Sequence, residues 1–164
     1  MPMSAKSSPL PATEVDVDRA SAVAAPTDAV FAAWVAAGLA ALGLAHVSLA
    51  VRLVDEAEAV VLNRDYRGKD YAPNVLSFPL ADDFPAPPDE PRPLGDVVLC
   101  LPVVQAEALA YGMSFDQRLA HLLIHGVLHL AGHNHDQQSP RLAMEALETR
   151  VMAELGLPHP YQQS

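Results

Sequence analysis

Apolar and polar positions alternate twice in the N-terminal third of the chain. Glu14 to Arg19 sets Val15 and Val17 between charges, and Val47-Ser48-Leu49-Ala50-Val51-Arg52-Leu53 repeats the two-residue period. Both segments are predicted strands. Between them Phe31, Trp34, Val35, Leu39 and Leu42 recur at helical spacing behind Thr27 or Asp28, either of which can cap a helix, and Gly43 is placed to end it. Asp55 to Asp65 reads as a short helix, Tyr66 to Asn74 as a loop, and Asn74 to Phe78 as a short strand stopped by Pro79. Gly95-Asp96 leads into the apolar run Val97 to Leu101, a further strand. Three helices follow: Val103 to Tyr111, Ser114 or Phe115 to about Ala131, and Ser139 to Leu155. Gly112 and Gly132 suit the ends of the first two, and Pro140 suits the start of the third. The order β, α, β, α, β, β, α, α, α argues for one α/β or α+β domain. We take it as α+β, a small mixed sheet with helices packed on it.

Residues 1–12 read as a flexible tail and 13–164 as a single domain. Five prolines between Pro85 and Pro93 make 81–95 a surface loop or lid. A length of 164 residues, 51% apolar and 18% charged, is enough for a core and excludes global disorder. The single cysteine, Cys100, excludes an internal disulfide framework and a Cys₄ or Cys₂His₂ zinc knuckle. Ten Lys+Arg against twenty Asp+Glu leave a net charge of −10. A broad, non-specific nucleic-acid coat is thereby excluded, because neutralising phosphates needs a cationic surface. Any polyanion must be caught locally, by a small basic cluster or a bound cation. The longest uncharged stretch, Ala29 to Ala45, holds 17 residues and is rich in alanine, too short and too weakly apolar to span a bilayer. No basic head leads into an apolar stretch at the N-terminus. The expected compartment is the cytoplasm, with no membrane partner.

Five of the seven histidines fall between 121 and 135. His125 and His129 stand four apart in a predicted helix, so both rings emerge from one face a turn apart. Gly132 can break the helix in a left-handed turn that lets the chain double back and offer His135. The resulting His125-x-x-x-His129-x-x-Gly132-x-x-His135 pattern can grip one ion and leave a position open to water, as catalytic zinc sites do. Imidazole donors favour zinc or a neighbouring transition metal over magnesium. The metal site is expected at the C-terminal end of a central helix. His133 competes with His135 for the third place on spacing alone. His121, a turn before His125, is placed either to support the site from behind or to join it, and Asn134 and Asp136 either orient a ring or belong to a solvated turn.

The same spacing occurs in metzincin proteases, where a glutamate after the first histidine is the general base. Here that position is Gly126, and no carboxylate follows His125 until Asp136. Peptide hydrolysis is disfavoured, whereas metal-assisted attack on a phosphodiester is not, because the ion itself activates water and polarises a phosphoryl oxygen.

The run His121 to His135 resembles the signature of the YbeY family, bacterial endoribonucleases of rRNA maturation. Two further blocks agree: Leu62 to Pro79 is similar to the family's N-x-x-Y-R-x-x-D-x-x-T-[DN]-V-L-S-F segment, and Leu94 to Cys100 to its L-G-D-[IL]-x-[IL] strand. Asn134 stands where the family commonly has aspartate, and Pro73 where threonine is common. The resemblance implies that His125, His129 and His135 hold the metal and that Arg67 acts in catalysis. It implies a substrate of single-stranded RNA, not DNA, and a role in 16S rRNA 3′-end maturation and ribosome quality control. It also implies work with the small ribosomal subunit and its assembly factors.

The residues give Arg67 a rationale of their own. Arg64, Arg67 and Lys69 are three of only ten cations, gathered in six residues. On an acidic chain they are the evident place for a phosphate, with Arg67 able to hold a phosphoryl group in fork geometry. Asp96 either supports a turn or joins the site. No aromatic stacking platform is legible, since aromatics are only 5% of the chain. The expected activity is a metal-dependent endoribonuclease. Its rivals are a ribosome-assembly binding factor with a structural metal, and another zinc hydrolase.

Overall fold

A computed structural model describes residues 12–80, 87–132 and 138–161. Most of the expected tail, residues 81–86 of the expected loop, and His133, Asn134, His135 and Asp136 lie outside them. The alternating segments form a four-stranded sheet in the order β1-β2-β4-β3. The strands are β1 (Glu14–Arg19), β2 (Val47–Val54), β3 (Val75–Pro79) and β4 (Arg92–Cys100). β1, β2 and β4 run parallel, and β3 closes one edge antiparallel to β4. The helices are α1 (Asp28–Ala41), α2 (Glu56–Arg67), α3 (Leu101–Tyr111), α4 (Phe115–Leu130) and α5 (Gln138–Glu154). This is the expected α+β domain with a mixed sheet.

The period of two divides the core between the faces of the sheet. Val47, Leu49, Val51 and Leu53 of β2 join Val97 and Leu99 of β4 in the larger core, with residues of α1, α4 and α5. Val54, Leu76, Val98 and Cys100 point the other way, toward Ala59 of α2. α4 is the central helix, touching α1, α3, α5, β3 and β4. Ser114 starts it, its side chain accepting the Gln117 N–H at 3.0 Å. From Leu119 to Leu130 every residue is buried except His125 and His129. Those two mark its one open face.

β3 runs through Pro79 instead of stopping before it, and α3 begins at Leu101, which the sequence reading placed in the strand; two further boundaries differ for a visible reason. α2 continues to Arg67 instead of ending at Asp65, because the Tyr66 ring packs on Phe78 of β3 with centroids 4.4 Å apart. Gly68, in the left-handed conformation with its N–H on the Arg64 carbonyl at 3.0 Å, then ends the helix. β4 starts at Arg92, so residues 92–95 of the expected proline-rich loop are strand. Pro93 is tolerated there because it faces Ser48 at a register shift, and the regular ladder with β3 starts only at Gly95. Among the described residues no helix is long and apolar enough to cross a membrane.

Candidate active site

A cavity of about 470 Å³ lies at the β3 edge of the sheet. α2 contributes Tyr66 and Arg67, β3 and the residue before it contribute Asn74, Ser77 and Pro79, and α4 contributes His125 and His129. Elements from both faces of the sheet therefore meet around its outer strand. The two histidine rings stand with centroids 4.7 Å apart and planes at 66°. They are the helical pair expected from spacing, and they face one cavity. Gly132 adopts φ +96°, the left-handed turn the motif requires after the helix. His135 lies outside the described residues.

Gly126, between the two histidines, is a contact point rather than merely a missing base. A Cβ there would lie 2.8 Å from Val97 Cγ1 and 3.2 Å from Ser77 Oγ. The Ser77 hydroxyl donates to the Gly126 carbonyl at 3.2 Å, tying α4 to β3. The helix can approach the sheet this closely only without a side chain, so a protease-type glutamate has no room.

Sequence reasoning missed Glu148 of α5, which is fully buried. Its Oε2 accepts from His125 Nδ1 at 2.8 Å, and its Oε1 accepts from His121 Nε2 at 2.7 Å and from the Tyr161 hydroxyl. Burial alone would raise the carboxyl pKa, but the hydrogen bonds from His121, His125 and Tyr161 prevail and lower it to about 2. Burial and the neighbouring carboxylate push the Tyr161 hydroxyl upward. The signal lay in the helix pattern. Met144, Val151 and Met152, at helical spacing from Glu148, are all fully buried, so a carboxylate occupies the middle of an apolar stripe.

His121 belongs to a polar chain behind the cavity. Asn74 donates to Glu107, which receives Arg118 Nε at 2.9 Å and Nη2 at 2.8 Å. Arg118 Nη1 lies 3.3 Å from His121 Nδ1, and guanidinium can only donate. Nδ1 of His121 is therefore an acceptor and Nε2 carries the hydrogen given to Glu148. Both ring nitrogens of His121 are thus engaged within this network.

Of the three clustered cations, Arg67 lines the cavity. Arg64 instead pairs with Asp70, Nε to Oδ1 at 2.9 Å, and Lys69 is exposed on the turn after α2. Asn63 holds that turn by donating to the Tyr71 carbonyl at 2.9 Å. Asp96 is exposed in β4 opposite Phe78 and is not among the residues that line the cavity. Tyr66 is the aromatic that the composition did not reveal, 52% exposed beside Arg67.

Residues 16–156 match the family described as Endoribonuclease YbeY. A relative of that name from Alkalilimnicola ehrlichii is 48% identical over 98% of each chain. Another from Pseudomonas entomophila is 47% identical, covering 90% of this chain and 92% of the relative. A third, from Xanthomonas campestris, is 47% identical over 83% of this chain and 84% of the relative. The solution structure of TM1509 from Thermotoga maritima shares the fold, with a TM-score of 0.53 and 21% identity, covering 91% of this chain and 99% of that one. The chain belongs to the endoribonuclease YbeY family.

Proposed function

We propose that this protein is a metal-dependent endoribonuclease that hydrolyses phosphodiester bonds of single-stranded RNA in the cavity at the β3 edge. The observation that carries the reading is the meeting of His125, His129 and Arg67 in one cavity. Two imidazoles a helical turn apart, one of them with Nδ1 held by a carboxylate, are a donor set that suits zinc. His135 is the proposed third ligand. When bound, the ion supplies Lewis acidity, which makes water nucleophilic near neutral pH and polarises a phosphoryl oxygen.

The remaining work falls to the side chains. Arg67 holds the scissile phosphate and stabilises the charge that develops on it. Arg64 and Lys69, beside it on the surface, guide the neighbouring backbone. The open side of Tyr66 offers an unpaired base a surface to stack on, which favours single strands over duplex. Family membership supports the finer assignment: 16S rRNA 3′-end maturation and ribosome quality control in the cytoplasm, alongside the small subunit and its assembly factors.

The test is cleavage of a labelled single-stranded RNA by purified, zinc-loaded protein. Cleavage is expected with metal, none after chelation, and none by His129→Ala with a melting temperature near wild type. A wild-type protein that never cuts RNA, together with a His129→Ala variant that unfolds, would instead establish a binding factor with a structural metal.

A further inference from the structure

We infer that Glu148 is a positioning residue for the metal centre, fixing through its bond to His125 Nδ1 which imidazole nitrogen of His125 is left to bind the ion. The inference rests on the metal-centre reading above. A neutral imidazole has one nitrogen that donates and one that carries a lone pair. A deprotonated carboxylate can only accept, and Glu148 Oε2 sits 2.8 Å from His125 Nδ1. Nδ1 therefore holds the hydrogen, and the lone pair is on Nε2. A ring hydrogen-bonded in this way is also fixed in rotation and made a stronger donor.

The carboxylate is itself locked. It is fully buried on α5, and its other oxygen receives His121 Nε2 at 2.7 Å and the Tyr161 hydroxyl. His121 cannot reverse its ring to release it, because its Nδ1 already accepts from Arg118. Two donors, His121 of α4 and Tyr161 beyond α5, thus set the carboxylate, and the carboxylate sets His125. Burying a carboxylate is unfavourable unless its oxygens are fully bonded. Holding this one beside the cavity accounts for its place in an otherwise apolar stripe.

Two measurements test the inference, neither using RNA. In metal-free wild-type protein with nitrogen-15-labelled histidine, long-range proton–nitrogen correlations should show His125 protonated at Nδ1 and lone-pair-bearing at Nε2. A His125 protonated at Nε2 would overturn the inference. Glu148→Gln keeps the volume but can turn an amide donor toward the ring. Its zinc affinity, from chelator competition, should fall by about 10- to 100-fold. Tyr161→Phe removes one donor and leaves both histidine bonds, so its zinc affinity should stay within a few-fold of wild type. Unchanged affinity in folded Glu148→Gln would also overturn the inference. Should that variant not fold, the wild-type tautomer decides alone. A protein that passes both tests but never cuts RNA removes the nuclease reading and leaves Glu148 in its role. A nuclease whose His125 carries its proton on Nε2 does the reverse.

Discussion

Residue 126 sits where α4 presses on the sheet, and its lack of a side chain has a measurable consequence. Alanine there gains about 1 kcal/mol of helix propensity. Its Cβ would stand 2.8 Å from a methyl of fully buried Val97, an overpacking that costs about 1–3 kcal/mol. Gly126→Ala should therefore lower the urea midpoint, and Gly126→Glu should lower it much further while creating no peptidase activity. A raised midpoint for either would contradict the packing described. Arg67 makes the complementary case, since it is exposed and lines the cavity. Replacing it by alanine removes a charge-assisted bond, so single-turnover RNA cleavage should fall by about 10- to 100-fold. Zinc content and melting temperature should not change; loss of zinc would refute the phosphate-holding role. Both residues were legible as candidates. The reason for Gly126 was not, because the contact is with β3 and β4, far away in sequence.

Among the elements, α4 was read closely from its own pattern. Its cap at Ser114, its histidine pair and its ending before Gly132 are local features. Ser114→Ala should cost about 1 kcal/mol through loss of the bond from Gln117 N–H, measured by denaturant titration. α5 was legible as a helix, but its contribution to the site was not, because no local rule says what a buried Glu148 will meet. That residue makes the stability of the metal-free protein depend on acid. Its carboxyl titrates near 4.5 when unfolded and about 2 when folded, so the folded state holds fewer protons between those values. The contribution is fully present above about pH 4.5 and is lost as pH falls toward 2. In chelator-treated samples, wild type should lose stability across that window more steeply than Glu148→Gln. Equal slopes would mean that the carboxylate is not held as described. The end of α2 joins a local signal, Gly68 in the left-handed conformation directly after Arg67, to a distant one, Phe78 packing against Tyr66.

For the whole molecule, the class of fold followed from the succession of periods, while the strand order did not. Nothing local announces that β3 pairs antiparallel outside β4, or that the edge so made brings α2 and α4 to one cavity. The charge balance, by contrast, bears directly on how RNA is held. The net charge is −10, and Arg64, Arg67 and Lys69 are three cations within six residues, the group proposed to contact the backbone. One to three phosphate contacts give a log–log salt slope between about −0.7 and −2 for a single strand. Fluorescence anisotropy with a short single-stranded RNA and metal-free protein should give a slope in that range. One steeper than about −4 would require a broader basic surface than Arg64, Arg67 and Lys69 provide.

Everything proposed for this protein depends on one cavity holding a metal beside a phosphate-binding arginine. An anomalous difference map from zinc-loaded crystals, collected on both sides of the zinc edge, tests it most directly. One peak is expected in the cavity at the β3 edge, within bonding distance of Nε2 of His125, a ring nitrogen of His129 and one of His135, with Arg67 facing it. A peak elsewhere, or a fully loaded protein whose His125 and His129 rings do not touch the ion, would contradict it.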